Sequence, residues 1–198
     1  MTSSVKTKPT AMLQDIRLIQ ATVDGNKAAR EQLAKAILPR TRRIVYRSCS
    51  AKQDVDDVVQ VAMFTVFRYL PTLRKFNRFA SWHDTIVYNV IRNEGRKRVR
   101  LKSTFEFEGS NEYHVTSVTP EDEHVGAEMF KRLQYHIDQL KPNKRYAAVM
   151  SIFEGYVESE IAAFMGCNIN SAKKRIQHGR KELLGRIQRD DAFNHPRQ

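Results

Sequence analysis

With 198 residues, 41% of them hydrophobic, the chain can hold one medium domain or two small ones with folded cores. Its 34 basic and 22 acidic side chains leave a net charge of +12 and a pI near 9.9, which favours a polyanionic partner, either nucleic acid or an anionic membrane surface. No apolar run approaches the roughly 20 residues that cross a bilayer, the N-terminus MTSSVKTKPT has no signal-peptide core, and Cys49 and Cys167 form no CxxC or His/Cys cluster; the expectation is a cytoplasmic protein with no membrane insertion, no disulfide framework, and no metal or other cofactor.

The N-terminal half has helical spacing throughout. Met12, Leu13, Ile16 and Ile19 form a first apolar set that Asp24-Gly25 ends; Leu33, Ile37 and Leu38 continue on a second helix, and Pro39 is expected to start or kink a third. The most regular helix runs from Asp54 to Leu70, where Val55, Val58, Val59, Ala62, Met63, Val66, Phe67 and Leu70 recur at i, i+3, i+4 and i+7. Its opposite face carries Asp57, Gln60, Val61, Phe64 and Arg68. Apolar groups rimmed by charge fit a protein-binding face, or a face covered by another helix of the same domain.

Ser81 with Asp84 three residues on resembles a capping box with Asp in place of Glu, followed by an apolar stripe of Phe79, Trp82, Ile86, Val87 and Val90. A second stripe, Asn89, Arg92, Asn93, Arg96 and Arg100, is polar and basic, and Arg98 stands beside it in a stretch of six cations from Arg92 to Lys102. Guanidinium groups hold phosphates and asparagines can read bases, while Tyr69, Phe76, Trp82 and Tyr88 could offer rings for an unpaired base. The same rings would equally serve a core, and a basic helix alone also suits a membrane surface.

Between Ser103 and Phe130 there is no Lys or Arg, and acids gather at Glu106, Glu108, Glu112 and Glu121 to Glu123. Turn residues at Gly109, Ser110, Asn111, Thr116, Ser117 and Pro120 indicate an extended connection, and FEFEGSNEYHVTSV is expected to be linker rather than sheet. The chain thus reads as all-α: a helical domain at 1–102, an extended acidic linker at 103–120 and a second small helical domain at 121–198.

Within the second domain, Glu158 to Lys181 has the shape of a helix-turn-helix. Ile161, Ala162 and Met165 recur at helical intervals, Gly166 sits where the chain reverses, and Asn168 can cap a helix whose buried face is Ile169, Ala172, Ile176 and Leu183. The opposite face presents Asn170, Ser171, Lys174, Gln177, His178 and Lys181, flanked by Lys173, Arg175 and Arg180. Such a face suits a major groove, with outward groups on base edges and flanking cations on phosphates; an amphipathic helix closing a bundle is the plainer alternative.

Val55-Asp56-Asp57-Val58-Val59-Gln60, the block from Phe79 to Arg98 with Trp82 and Asn93, the acidic linker, and LKPNKRYAAVMSIFEGYVESEIAAFMGCNINSAKKRIQHGRKELL together resemble an extracytoplasmic-function (ECF) sigma factor of bacterial RNA polymerase, over about Leu13 to Ile187. The resemblance implies a non-catalytic initiation subunit with a region 2 domain and a region 4 domain. Asp57, Gln60, Val61, Phe64 and Arg68 would meet the clamp helices of the largest subunit of core RNA polymerase. Trp82, Asn89, Arg92, Asn93, Arg96, Arg98 and Arg100 would recognise and melt the minus-10 element. Asn170, Ser171, Lys173, Lys174, Arg175, Gln177, His178 and Lys181 would read the minus-35 element. The linker would run through the polymerase toward its active-site cleft and RNA exit path. Promoter DNA and core polymerase are then the partners, with an anti-sigma factor as a further candidate. Three positions depart from the family pattern: Val61 where an acid is common, His83 where leucine is usual, and Asn170-Ser171-Ala172 where Gly-Thr-Val is typical. Two other classes stay open on the residues alone: a stand-alone helix-turn-helix regulator, which needs a dimer interface, and a nuclease, for which Asp54, Asp56 and Asp57 lie on one helix with no placed partner.

Overall fold

The computed structural model describes residues 15–49, 51–104 and 124–194, all helices and connecting turns. Met12, Leu13 and nearly all of the expected linker, including FEFEGSNEYHVTSV, lie outside the described residues. Helix α1 spans Ile16–Val23, with the Asp15 carboxylate accepting from the amides of Arg17 and Leu18. Helix α2 spans Lys27–Ser48 and is capped by Asn26. It runs unbroken through Pro39, so no third helix starts there. Leu38, expected in the core, is 41% exposed. Pro39 is exposed too, and the bond it removes from the helix lies on the solvent side, where water can take the freed carbonyl.

Helix α3, Val55–Tyr69, and helix α4, Phe79–Thr104, complete the first domain. Val55, Val58, Val59, Ala62 and Val66 of α3 are buried as their spacing requires. The expected capping box is absent. Ser81 lies inside α4 and donates to the Arg78 carbonyl, while Asp84 is fully buried on α4 and paired with Arg40 across the domain. The helix begins two residues earlier, at Phe79, whose ring goes into the core.

The second domain comprises α5 (His124–Asp138), α6 (Pro142–Ile152), α7 (Glu158–Met165), α8 (Ile169–Ile187) and a short α9 (Asp191–Asn194). Gly166 ends α7 in the left-handed conformation at φ +58°, which suits a glycine, and Asn168 caps α8 by accepting from the Ser171 amide at 2.7 Å. Ala172, Ile176 and Leu183 are buried as expected. Ile169 is not: at the first position of α8 its side chain points off the end of the pair and is 55% exposed. Gly179 fills out the buried face, because a Cβ there would come within 2.8 Å of the Lys144 carbonyl oxygen on α6.

Each domain has an apolar cluster of its own. Ile19, Leu33, Ile37, Val66, Leu70 and Phe79 form one, and Ile137, Leu140, Ala148, Val149 and Leu183 the other. A third and larger cluster belongs to both, joining Ile44, Val45, Val87 and Tyr88 of the first domain to Tyr146, Met150, Phe164 and Met165 of the second. The domains therefore pack directly on one another. Helix α6 makes this possible: Arg145 to Met150 are buried in succession, one side toward α8 and the other toward α2. The Arg145 guanidinium donates to the carbonyls of Ile137 and Leu140 at the end of α5, and to that of Ser48 at the end of α2.

The close approach at Gly179 sets a testable contrast. Gly179→Ala forces its methyl against backbone rather than a flexible side chain, and should destabilise the chain by about 1–3 kcal/mol. Gly185→Ala, on the same helix with only the tip of Arg189 at 3.9 Å, should stabilise it by about 0.5–1 kcal/mol. Urea titration followed by circular dichroism reads both.

Candidate nucleic-acid and polymerase interfaces

The outer face of α3 is open. Asp57, Gln60, Val61, Phe64 and Arg68 are all exposed, Phe64 at 68%, so no helix of the described residues covers them. Tyr69 extends this apolar patch at the helix end, with the Arg68 guanidinium 5.7 Å from its ring centre. Two of the neighbouring acids are engaged: Asp56 accepts from Arg42 at 2.8 Å, and Asp54 holds Arg98.

On α4, Asn89, Arg92, Asn93 and Arg96 line one exposed edge. Arg98, pinned to Asp54, does not stand with them as a free cation, and the side chain of Arg100 lies outside the described residues. Trp82 is partly buried and forms a wall of an open cleft of about 440 Å³ that also has Arg74, Lys75, Arg78, Ser81 and Thr85 on its rim; Ala163 and Phe164 of α7 close its far side. Of the other rings, Tyr88 is buried against Tyr146 at a centroid distance of 4.3 Å, which takes it out of any stacking surface in this arrangement. Tyr69 is exposed and Phe76 partly so.

On α8, Asn170, Lys173, Lys174, Gln177, His178 and Lys181 form a continuous exposed face. Ser171 and Arg175 are half-buried, the first at the Asn168 cap and the second with a guanidinium N–H on the Met165 sulfur at 3.9 Å. The Arg180 guanidinium donates to Ser151 Oγ at 2.9 Å, which ties the helix to α6.

Between these faces lies a buried polar network that helical spacing does not reveal. Asp84 accepts four donors: at one oxygen Arg40 Nε (3.1 Å) and His83 Nδ1 (2.8 Å), at the other Arg40 Nη2 (2.5 Å) and the Tyr156 hydroxyl (2.6 Å). That fills the acceptor capacity of a carboxylate. His83, at the position where the resemblance leads to leucine, is fully buried with its Nε2 2.9 Å from Thr41 Oγ1. Burial disfavours the charge on Asp84, but the bonds and charges of His83 and Arg40 outweigh it and pull its pKa down to about 2. Burial works against Arg40 as well, and its bond to Asp84 with the charge of Glu154 holds it above its ordinary value. The Tyr156 hydroxyl is raised, first by burial and then by Asp84.

Glu154 sits on the neighbouring turn with its side chain almost wholly buried, 2.9 Å from Arg40 Nη1, 3.2 Å from Arg43 Nε and 3.8 Å from Arg47 Nη1. A further pair, Lys52 with Asp138 at 3.0 Å, also crosses between the domains. Burial lowers Lys52 and raises Asp138.

Two family models match the chain in order: sigma-70 region 2 over residues 33–101 and sigma-70 region 4 over residues 130–183. Among curated relatives, the ECF RNA polymerase sigma factor SigE of Mycolicibacterium smegmatis is 26% identical over 80% of this chain, which spans 63% of that relative's length. The ECF RNA polymerase sigma-E factor of Haemophilus influenzae is 25% identical over 89% of this chain and 96% of its own. Of solved structures, the sigma factor RpoE in complex with the anti-sigma factor NepR from Bartonella quintana superposes with a TM-score of 0.68 at 19% identity, covering 81% of this chain and 97% of that one. CnrH in complex with the cytosolic domain of CnrY gives 0.62 at 20%, covering 89% and 99%. At such identities the likeness speaks for the fold.

The Asp84 network has a measurable consequence. Asp84→Asn leaves Arg40 buried with less compensation and should cost roughly 3–5 kcal/mol of stability at neutral pH. A carboxyl lowered from 3.8 to about 2 stabilises the fold above its unfolded pKa, and the gain disappears as pH falls through the folded one. The gap between wild type and variant in urea titrations should therefore narrow between about pH 4 and pH 2.

Proposed function

The chain belongs to the ECF sigma factors, and from that premise we propose that it docks on core RNA polymerase through the outer face of α3 and reads promoter DNA with α4 and α8. It directs promoter-specific transcription initiation. Residues 1–102 form the region 2 domain, 103–120 the acidic linker, and 121–198 the region 4 domain. The observation that carries the reading is the presence, in order on one chain, of both matched regions, each with an exposed face of fitting chemistry.

Asp57, Gln60, Val61, Phe64 and Arg68 supply the polymerase contact: an aromatic anchor set among polar and charged groups, the composition of an interface centre with its rim. Asn89, Arg92, Asn93 and Arg96, with Trp82 at the adjoining cleft, serve the minus-10 element, where unstacking a base needs a ring or pocket to receive it and cations to hold the backbone. The outward face of α8 enters the major groove at the minus-35 element. Asn170, Gln177 and His178 are placed for base edges, and Lys173, Lys174 and Lys181 for phosphates. The chemistry of RNA synthesis belongs to the polymerase. The protein acts in the cytoplasm, and the two solved relatives held by other proteins support an anti-sigma factor as a regulator.

Two measurements test the assignment in the assembled holoenzyme. Phe64→Ala should weaken binding to core polymerase by about 2 kcal/mol, roughly thirtyfold in Kd, in a titration with labelled protein. Lys174→Ala should leave that binding unchanged, weaken holoenzyme binding to a promoter fragment, and reduce the slope of log K against log salt by about 1. Unaltered affinity and slope in the second variant would place the DNA face elsewhere.

A further inference from the structure

Arg98 stands two residues after Arg96 on α4, yet the helix turns about 200° between them, so the two side chains leave from nearly opposite sides. Asn89, Arg92, Asn93 and Arg96 share the exposed edge. Arg98 leaves from the back of the helix and pairs with Asp54 at the start of α3. The last buried side chain of α4 among the described residues is Val90, and from Arg92 to Arg98 the helix is exposed or half-buried. Of the ion pairs in that stretch, Lys97 with Glu94 stays within α4, while Arg98 with Asp54 reaches another helix. The pair ties down the basic end of α4 beyond the point where apolar packing holds it.

Asp54 is turned toward that partner rather than toward its own helix. It occupies the N-cap of α3, where an aspartate ordinarily accepts from the first amides, but its carboxylate caps none of them. The free amides of a helix N-terminus carry partial positive charge and repel a guanidinium unless a carboxylate stands between. Asp54 supplies it. The neighbouring Asp56 does the same for Arg42 of α2 at 2.8 Å, so the start of α3 is braced toward both α2 and α4. Immediately beyond lie Asp57, Gln60, Val61 and Phe64, the face assigned to the polymerase.

On that assignment, and on that of the α4 edge to the minus-10 element, we propose that Asp54 and Arg98 are positioning residues for promoter binding. Their pair fixes the basic end of α4 at a set offset from the docked α3, so that Arg92, Asn93 and Arg96 meet the minus-10 strand together. Arg98 itself contacts no phosphate. Where the resemblance led to a direct DNA contact, Arg98 acts through the helix that carries the others. The pair is partly open to solvent, so its loss loosens this end of α4 without unfolding the domain.

The test uses holoenzyme assembled from core polymerase and the full chain, as wild type, Asp54→Asn, Arg98→Ala, the double variant, Arg98→Lys and Arg42→Ala. Each is titrated, at several salt concentrations, against a labelled duplex promoter fragment chosen from the start sites that the wild type supports. Asp54→Asn and Arg98→Ala should each weaken promoter binding about fivefold, and the double variant no further, because one interaction is lost in all three. The slope of log K against log salt should keep its wild-type value throughout, since no phosphate contact is removed. Arg98→Lys, which keeps a cation within reach, should restore most of the affinity. Arg42→Ala, the same loss of charge at the same helix end, should match wild type. Circular dichroism should show every variant folded, and core polymerase should bind them alike; if Asp54→Asn loses helicity, Arg98→Ala and Arg98→Lys carry the test through the slope and the rescue. A slope lowered by about 1 in Arg98→Ala, with Asp54→Asn binding promoter as tightly as wild type or more so, would make Arg98 a phosphate contact that Asp54 restrains, and overturn the brace. Wild-type affinity in both single variants, weakened core binding in them, or losses that add in the double variant overturn it as well. A wild type that supports no start site with core polymerase would instead contradict the sigma-factor reading, on which the role of the pair depends.

Discussion

A single buried carboxylate organises this molecule. Asp84 is inaccessible to solvent and carries a charge, a state that persists only because four donors converge on it. Three of those bonds come from within the first domain, and the two from Arg40 fix α4 against α2. The fourth comes from Tyr156 and reaches across to the second domain. A hydrogen bond to a charged group contributes roughly 1.5–3 kcal/mol, so losing Tyr156 is a modest loss beside the bidentate Arg40 pair.

The same division appears in the apolar packing. Each domain has its private cluster, and the shared one draws on the far side of α6 together with α7. A tether between two independent bodies would leave α6 with an apolar face in water; packing on α2 removes it. What stays exposed is selective: the aromatic patch on α3 and the polar, cationic edges of α4 and α8.

Helical periodicity made much of this legible in the sequence. The buried face of α3, the Gly166 turn, the Asn168 cap and the outward face of α8 all follow from spacings of three and four. Features that depend on distant partners left no such trace. Asp84 looked like the second half of a cap because Ser81 precedes it by three, while its true partners, Arg40 and Tyr156, are 44 and 72 residues away. Ile169 fits the stripe of α8 on a wheel but stands at the helix end, where no neighbour reaches it. Domain packing did have one local sign: Tyr146 to Met150 is an almost wholly apolar run over more than a full helical turn, wider than a single partner helix can cover.

The most direct measurement is transcription from a genomic promoter library by purified core RNA polymerase with and without this chain. The account requires a set of start sites that appear only on its addition and share sequence at both the minus-10 and minus-35 positions. Start sites unchanged by its addition, with no association between chain and core polymerase, would contradict it.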